Sequence, residues 1–446
     1  MTPLQIIQPL LFIATTIVAV TLVIKRAKII LRTIQLGRSE EIKGERSARW
    51  KNVLLLALGQ QKMFRKPGVA ILHLIVYAGF IIINIEIIEI ILDGILGQHR
   101  LFAPFLGSLY PVLINSFEVL ALLVLLACIV FLVRRNTKSI SRLQSIELNG
   151  WPRKDATLIL GAEIVLMSLF LIMNAADTLL QERSYADYSH HITGNFWISS
   201  LLHPFFEQWS NSSLVAVERI SWWLHILGIY AFLNYLPYSK HLHIILAFPN
   251  AYYARLDPNG KMENMPAVQQ EVIYAMQPEL APIDSNSTPP RFGARDVMDL
   301  SWKNLLDAYS CTECGRCSSA CPANQTGKLL SPRKIMMDTR DRLEEVGKSI
   351  TKQGKWQDDG RSLLHQYISV EEINACTTCN ACVQECPVSI NPLDIILQLR
   401  RNLVMEESNT PAEWATLFGN VENNFAPWKF NPEEREKWIQ STSTNA

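Results

Sequence analysis

Eight of the nine cysteines stand in two short runs in the last third of the chain. The runs are Cys311, Cys314, Cys317, Cys321 and Cys376, Cys379, Cys382, Cys386. Both follow the pattern C-x2-C-x2-C-x3-C-P, in which three cysteines bind one four-iron cubane and the fourth reaches the neighbouring cluster. The pattern predicts two [4Fe–4S] clusters, one held by Cys311, Cys314, Cys317 and Cys386 and the other by Cys376, Cys379, Cys382 and Cys321. Zinc is the alternative, because paired C-x2-C motifs also bind zinc.

The cysteine distribution indicates metal ligation in a reducing compartment, because a disulfide framework would spread its cysteines along the chain. The ninth cysteine, Cys128, lies alone in an apolar run and is interpreted as a small apolar filler. The net charge of +1 excludes a nucleic-acid binder that works through a strong overall positive charge. Nucleic acid is therefore not an expected partner.

The first 250 residues are too apolar for a soluble domain. The whole chain is 19% charged, whereas about a quarter is usual for soluble proteins. A membrane-spanning helix needs about 20 mostly apolar residues. Segments of that length are 4–24, 69–92, 110–133, 156–175 and 214–248. We predict five spans in a lipid bilayer. The first is expected to be a retained helix rather than a removed signal peptide, because it has no basic n-region and no cleavage site.

Lysine and arginine are unevenly distributed among the connections between these segments. The first connection contains Lys25, Arg26, Lys28, Arg32, Arg38, Lys43, Arg46, Arg49, Lys51, Lys62, Arg65 and Lys66, and the third contains Arg134, Arg135, Lys138, Arg142, Arg153 and Lys154. The second and fourth offer Arg100 and Arg183. Cytoplasmic loops are enriched in these residues. We predict a multi-pass protein of a bacterial-type cytoplasmic membrane, with its N-terminus outside and its clustered cysteines in the cytoplasm.

Three histidines fall inside predicted spans, where an imidazole is costly and needs a reason. His73 lies in the cytoplasmic half of the second span, and His225 and His243 lie 18 residues apart on the fifth. On one continuous helix that separation is five turns, so both rings would face the same way about 27 Å apart. Histidines from two helices can ligate haem b. We predict that His73 and His243 hold one haem b, and that His225 serves a second haem or contacts a quinone. The alternative is that each histidine hydrogen-bonds a neighbouring helix.

The remaining histidines in this half are weaker candidates. His99 and His203 lie in outer connections and are possible substitutes as ligands, although loop histidines are more often solvated. His190 and His191 also lie outside the predicted spans, and His241 would face away from His243 on a helix.

Four carboxylates also lie in predicted spans, namely Glu86, Glu89, Glu118 and Glu163. Each must face the interior of the bundle or a wet pocket. Glu86 and Glu89 are three residues apart and share a helix face. We predict that these two exchange protons with a quinone, because quinone reduction consumes protons. The alternative is that Glu89 extends to the outer surface and that the others bind polar neighbours.

The membrane half resembles the cytochrome b subunit of respiratory nitrate reductase. It resembles more closely the membrane domains of heterodisulfide-reductase-type and electron-transfer-flavoprotein-type quinone oxidoreductases. The resemblance rests on the five-span layout, the helix of His73, and the stretch from Trp222 to His243. In the nitrate reductase pattern the second span carries two ligands ten residues apart, and here Ile83 takes the second place. The resemblance therefore implies one complete pair of haem ligands.

The cysteine half resembles, over about residues 295–405, the helical ferredoxin domain of succinate dehydrogenase and of the small iron–sulfur subunit of heterodisulfide reductase. Helices are expected at 297–309, at 370–375, and from the Ser331-Pro332 start to Val346. We predict an all-α fold with a five-span membrane domain (1–248), a linker (249–294), a cytoplasmic helical ferredoxin domain with two clusters (295–405), and a C-terminal docking tail (406–446).

These parts together predict a membrane subunit that passes electrons between a soluble donor and the quinone pool through two [4Fe–4S] clusters and one haem b, or two. The resemblance implies electron-transfer flavoprotein or another soluble donor, and a partner subunit with cysteine-rich CCG domains, which this sequence lacks. The sequence has neither a phosphate-binding loop nor a dinucleotide-binding fingerprint, so a bound nucleotide is not expected. The alternatives are a membrane subunit of a heterodisulfide or sulfur-compound reductase, and a membrane-anchored iron–sulfur redox sensor without haem. Ligand spacing does not fix the direction of electron flow.

Overall fold

The computed structural model describes residues 3–137, 140–189, 193–258, 260–262, 264–281, 291–434 and 436–439. Within these ranges the chain forms α-helices, short 3-10 and π segments, and no strand beyond two isolated β-bridges. The prediction of an all-α protein is confirmed for this part of the chain. The helices are α1 Pro3–Ile34, α2 Arg46–Asn52, α3 Pro67–Leu96, α4 Ala103–Leu106, α5 Leu109–Asn136, α6 Trp151–Glu182, α7 His203–Phe206, α8 Asn211–Tyr235, α9 His243–Tyr252, α10 Pro266–Met276, α11 Trp302–Ser310, α12 Arg316–Ala320, α13 Pro322–Gln325, α14 Pro332–Gln353, α15 Val370–Asn374, α16 Ala381–Glu385, α17 Pro392–Met405 and α18 Ala412–Asn424.

Four helices in the described residues are long and apolar enough to cross a membrane. They are residues Ile6–Ile34 of α1 together with α3, α5 and α6. They coincide with the first four predicted spans, so the membrane character of this half is confirmed. The helix α8 is not among them, because its polar start and the adjacent Glu218 and Arg219 interrupt its apolar stretch. A fifth span therefore stays a prediction.

The prediction of one continuous helix over 214–248 is wrong. The helix α8 ends at Tyr235, and two 3-10 turns separate it from α9, which begins at His243. Pro237 lies in the first of these turns, where its ring lacks the N–H that would continue the helix. Ser239 then caps the second turn by accepting a hydrogen bond from the His241 N–H at 3.0 Å. His225 and His243 therefore lie on different helices, and the argument that five turns align their rings fails.

The membrane helices pack into a bundle in which α6 contacts both α5 and α8, and α3 contacts α5. Its core contains buried aliphatic and aromatic side chains such as Ile114, Phe117 and Phe170. Long apolar helices expose side chains such as Leu10, Ile81 and Val112 to the outside of the bundle. That combination of a packed interior and an apolar exterior is typical of a protein surrounded by lipid.

The cysteine half folds around the helices α11, α14 and α17. The predicted start of α14 is confirmed: the Ser331 hydroxyl accepts a hydrogen bond from the Lys334 N–H, and Pro332 occupies the first turn. The helix continues past Val346 to Gln353. The predicted helix 297–309 is wrong as a single element. It consists of a 3-10 turn, Val297–Asp299, and α11, which Ser301 caps separately.

The two halves share a hydrophobic core. Ile30 and Ile34 of α1 and Leu246 of α9 belong to the same buried cluster as Leu305 and Leu399 of the cysteine half. The chain after α1 then runs beside residue 301, with the Arg38 N–H donating to Leu300 O at 2.8 Å. At Gly37 a Cβ atom would lie 2.5 Å from the backbone nitrogen of Trp302, so this approach requires glycine. The cysteine half is therefore fixed against the membrane half.

The domain limits stay predictions, with two observations bearing on them. The proposed linker 249–294 includes the end of α9 and the whole of α10, and residues 259, 263 and 282–290 of it lie outside the described residues. The proposed docking tail contains α18, which exposes Phe418, and the residues after it, which expose Phe425 and Trp428.

Candidate functional site

The first cysteine run forms a short loop followed by a helical turn. Cys311 follows the last residue of α11, and α12 carries Cys317. Between them Glu313 and Gly315 adopt positive φ angles of 56° and 72°. A Cβ atom at residue 315 would lie 2.4 Å from the Arg333 guanidinium, so glycine is required there for both conformation and space. The loop places Cys311, Cys314 and Cys317 within electrostatic range of one another.

The second run repeats this local structure. Cys376 follows α15, α16 carries Cys382, and Thr378 and Asn380 have φ angles of 56° and 60° at the places of Glu313 and Gly315. The first cysteine of each run accepts a backbone hydrogen bond at 3.4 Å, from the N–H of Glu313 and of Thr378 respectively. Such N–H···S bonds stabilise thiolate and tune iron–sulfur potentials.

The packing of α12 against α16 brings the two runs together. Cys317 lies within electrostatic range of Cys311, Cys314 and Cys386, and also of Cys382. Cys382 lies within range of Cys376, Cys379 and Cys321. The last cysteine of each run is thus near two cysteines of the other run, Cys386 near Cys314 and Cys317 and Cys321 near Cys376 and Cys382. The crossed ligand sets stay a prediction.

Burial affects the chemistry of these thiols. Burial raises the pKa of Cys386 to about 11 and that of Cys382 to about 12. Metal ligation requires the thiolate, so iron binding has to offset this cost. Among the described residues no three His, Cys, Asp or Glu side chains converge closely enough to hold a single metal ion. The cysteines that bind a four-iron cubane lie farther apart than the ligands of a single ion, because each cysteine binds a different iron.

The two predicted cysteine sets have different surroundings. The set of Cys311, Cys314, Cys317 and Cys386, here called the membrane-facing set, contacts residues of the first and third connections. The Lys62 ammonium donates to Cys386 O at 3.2 Å and the Arg142 guanidinium donates to Cys314 O. Burial lowers the pKa of Lys62. The other set is here called the outward set, and its Cys379 is exposed.

The predicted haem ligands of the inner side lie close to one another. His243 and Arg316 lie within electrostatic range of His73. The ring centroids of His241 and His243 are 5.5 Å apart. Arg316 belongs to the first cysteine run and donates to Lys62 O at 3.3 Å. The histidine pair and the membrane-facing set therefore occupy the same region.

Each of the three predicted ligands engages its Nδ1 atom and leaves Nε2 without a hydrogen-bond partner among the described residues. His73 Nδ1 lies 2.9 Å from Gln60 Oε1, and His243 Nδ1 lies 3.1 Å from Lys240 O. His225 is buried and its Nδ1 lies 3.0 Å from Leu166 O. Metal-ligating histidines usually donate one ring N–H to such an oxygen and bind with the other nitrogen.

The weaker histidine candidates have other partners. His99 Nε2 lies 3.1 Å from Asp177 Oδ1, and His203 Nε2 lies 2.9 Å from the Thr178 hydroxyl. Neither is therefore a solvated loop histidine. His241 stands beside His243 rather than opposite to it, because residues 240–242 form a 3-10 turn. His190 and His191 lie outside the described residues.

The two glutamates of α3 differ in their contacts. Glu89 is buried and accepts from the Phe102 N–H at 2.8 Å and the Tyr110 hydroxyl at 3.0 Å, so it does not extend to the outer surface. Glu86 has one oxygen 3.9 Å from the Arg100 guanidinium and the other buried without a partner. Both line a small cavity together with Asp93, Met173 and Trp222.

Sequence reasoning missed the polar network around this cavity. Arg100 is buried and donates to Asp177 at 2.7 Å and to Asn174 at 2.8 Å. Glu118, predicted to be buried, accepts from Asn174 and from the hydroxyl of Ser199. Arg100 is the one lysine or arginine in this outer connection, and that isolation was the available signal. Its long-range partner could not be read from spacing.

Comparison with known proteins identifies the cysteine half. The family described as "4Fe-4S dicluster domain" matches residues 310–390, which include both runs. Joined to four membrane-length helices, this domain makes the chain a membrane-associated iron–sulfur protein. No solved structure gives a significant match.

Three relatives show which proteins the chain is similar to. The "Probable iron-sulfur-binding oxidoreductase FadF" of Bacillus subtilis is 28% identical over 96% of this chain and 60% of that protein. The "EtfAB:quinone oxidoreductase" of Syntrophomonas wolfei is 26% identical over 86% of this chain and 53% of that protein. A ferredoxin/F(420)H(2)-dependent CoB-CoM heterodisulfide reductase subunit of Methanosarcina acetivorans is 33% identical over 25% of this chain and 56% of that protein.

The predicted resemblance to heterodisulfide-reductase-type and electron-transfer-flavoprotein-type oxidoreductases is confirmed by these relatives. The resemblance of the membrane half to a cytochrome b stays a prediction. The chain spans 53–60% of the length of the first two relatives.

Proposed function

We propose that this chain is the membrane electron-transfer component of a quinone-linked oxidoreductase of the electron-transfer-flavoprotein:menaquinone type. It passes electrons between a soluble partner and the quinone pool through two [4Fe–4S] clusters and haem b. Each of these groups accepts or releases one electron at a time. The observation that carries the proposal is the position of the membrane-facing cysteine set beside His73 and His243.

The residues present fit the clusters. Cys311, Cys314, Cys317 and Cys386 hold the membrane-facing cluster, and Cys376, Cys379, Cys382 and Cys321 hold the outward cluster. The crossed proximity of Cys386 and Cys321 to the opposite runs supports this assignment. The repeated loop with two positive φ angles supports it as well, because both runs present their cysteines in the same way.

The residues present also fit a haem on the inner side. His73 and His243 come from different helices, lie within electrostatic range of each other, and keep Nε2 available while Nδ1 is engaged. We propose that these two hold one haem b. His225 has the same Nδ1 arrangement in the other part of the bundle, next to Phe170. It serves a second haem or contacts the quinone.

The differing exposure of the cysteine sets gives the path a direction in space. The outward cluster, with exposed Cys379, exchanges electrons with the soluble partner, and the membrane-facing cluster exchanges them with the haem. The docking tail lies near the outward set: the Trp414 ring of the tail is 5.9 Å from the guanidinium of Arg400 of α17, which donates to Cys376 O at 2.8 Å. The partner we propose is a subunit with CCG domains, served by electron-transfer flavoprotein or another donor.

Glu86 is the proton-exchange group of the quinone site in this proposal. Its unpartnered oxygen is buried at a cavity lined by acidic and aromatic side chains, whereas Glu89 is fully engaged by Phe102 and Tyr110. A group that exchanges protons needs a free position for them. We therefore assign Glu89 a positioning role.

The N-terminus lies outside a bacterial-type cytoplasmic membrane and the cysteine half lies in the cytoplasm.

A second candidate is the membrane subunit of a heterodisulfide or sulfur-compound reductase. The similarity to a heterodisulfide reductase of Methanosarcina acetivorans favours this candidate over a sensor. A membrane-anchored iron–sulfur sensor is the third candidate, and it would lack haem.

Spectroscopy of the purified protein tests the proposal. Oxidised and reduced optical spectra, a pyridine haemochrome assay, and iron and sulfide determinations are made on one sample. We expect haem b together with about eight non-haem irons and about eight sulfides per chain. Iron and sulfide without haem would contradict the proposed path and favour the sensor. Oxidation of the reduced protein by a menaquinone analogue, but not by a disulfide substrate, separates the first two candidates.

A further inference from the structure

Lys240 connects the membrane half to the first cysteine run. It lies in the 3-10 turn between α8 and α9, and its side chain is 9% exposed. Its ammonium donates to Pro152 O at 2.7 Å and to the Glu313 carboxylate. Its backbone N–H donates to Asp155 at 3.1 Å. The residue is thus fixed through both its side chain and its main chain.

Glu313 lies on one side of this contact, between two cysteines of the membrane-facing set. Its carboxylate is 3% exposed and also accepts from Arg340 at 2.8 Å. Its backbone N–H donates to Cys311 Sγ at 3.4 Å. The side chain that Lys240 holds therefore belongs to the residue whose amide contacts the sulfur. The outward set has Thr378 at this place, and no lysine contacts it in the described part of the chain.

His243 lies on the other side. Its Nδ1 atom is 3.1 Å from the carbonyl oxygen of Lys240. One residue therefore orients a predicted haem ligand through its main chain and a predicted cluster loop through its side chain. In a poorly solvated region the lysine charge also acts on the cluster more strongly than it would in water.

We propose that Lys240 is a positioning residue shared by the inner haem and the membrane-facing cluster, and that its charge raises the reduction potential of that cluster. The inference rests on the proposed function. A nearby positive charge stabilises the reduced cluster, which has one more electron. The outward cluster lacks this contact. The cation nearest the outward set is instead Arg400, which donates to Cys376 O at 2.8 Å. Because the two loops are alike but face different charges, we expect the two clusters to differ in potential.

The test is an EPR redox titration of both clusters in the full-length protein with Lys240→Met and Glu313→Gln. In Lys240→Met we expect the reduction potential of the membrane-facing cluster to fall by about 60 mV, a tenfold change in its one-electron equilibrium constant. The potential of the outward cluster is expected to stay unchanged. Glu313→Gln removes a negative charge and is expected to raise the potential of the same cluster. The double variant is expected to lie between them. The Lys240 carbonyl that contacts His243 survives in Lys240→Met, so we expect the low-spin haem EPR signal to be retained.

Arg26→Met is the matched control. Arg26 of α1 is largely buried and pairs with Glu344 of α14 at 2.7 Å, so it also joins the two halves, but its hydrogen bonds go to this carboxylate rather than to a cysteine loop or histidine. Potentials that move equally in Lys240→Met and Arg26→Met, or in neither, would overturn the proposal. If Lys240→Met fails to fold, Glu313→Gln alone tests the proposal. A lowered or unchanged potential of the membrane-facing cluster in Glu313→Gln would overturn it. Absence of haem from the wild type would refute the proposed function, whereas the cluster shift would still be measurable.

Discussion

The two cysteine runs have the same local structure and opposite surroundings. In both runs, a loop with two residues of positive φ leads into a short helix, and the first cysteine accepts a hydrogen bond from a backbone N–H at 3.4 Å. In the first run Glu313 is buried between Lys240 and Arg340, whereas in the second Cys379 is exposed. The same spacing therefore accompanies the same local structure in both runs, whereas packing against the rest of the chain gives each run different surroundings.

Removing Cys386 gives the largest expected effect and tests the crossed assignment. In Cys386→Ser we expect loss of the membrane-facing cluster, because serine is a poor ligand for a soft iron–sulfur site. About four irons per chain should remain, with the EPR signal of the outward cluster. Iron content and EPR spectra measure this.

Cys128→Ser is the control for that experiment, because Cys128 is buried in α5 within the membrane core. All eight irons should remain in this variant. Loss of the outward cluster from Cys386→Ser, with the membrane-facing cluster retained, would contradict the assignment.

His73→Ala tests whether His73 holds the inner haem beside the membrane-facing set. We expect loss of the inner haem with both clusters retained, since His73 is one of the two proposed ligands and its hydrogen bond among the described residues goes to Gln60 rather than to a cysteine. The haemochrome assay and the iron content are the measurements. His365→Ala is the control, because His365 pairs with Glu407 on the surface of the cysteine half. Full haem content in His73→Ala would show that the ligand is elsewhere.

The two glutamates of α3 extend the comparison to a second pair of like residues in unlike surroundings. In Glu86→Gln we expect quinone turnover to fall about a hundredfold, because proton transfer by a positioned group contributes at least that much. In Glu89→Gln we expect turnover to change less, while unfolding becomes easier by about 2 kcal/mol through loss of charge-assisted hydrogen bonds. Steady-state kinetics and thermal unfolding measure these changes. Equal turnover loss in both variants would contradict the division of roles.

Thr378→Ala has the smallest expected effect. The bond to Cys376 comes from the backbone N–H and survives the substitution. We expect the one-electron equilibrium constant of each cluster to stay within about twofold of its wild-type value. Glu313→Gln is expected to change one of these constants by more. A shift as large as that of Glu313→Gln would mean that the two loops are not distinguished by the Lys240 contact.

The sequence was most informative where structure depends on neighbouring residues. The two cysteine runs have the same spacing and the same loop-and-helix structure, and the start of α14 follows from Ser331 and Pro332. The prediction of a continuous fifth helix was wrong because it relied on apolar composition and gave too little weight to Pro237, a residue that ends helices.

Contacts between distant parts of the chain could not be predicted. Lys240 and Glu313 are 73 residues apart, and Arg100 and Asp177 are 77 residues apart. Such pairs form only when packing brings charges from different elements together, and a single sequence does not specify that packing. The same limit explains why His225 was aligned with His243 on a helix that the structure does not have.

Photochemical electron injection at the exposed side tests the order of the centres most directly. A ruthenium photoreductant is attached to the cluster-loaded protein at Thr377→Cys, next to the exposed Cys379, and haem absorbance is followed after a flash. We expect rapid haem reduction in the otherwise unchanged protein, and little or none when Cys386→Ser is also present. Haem reduction at an equal rate without the membrane-facing cluster would contradict the account.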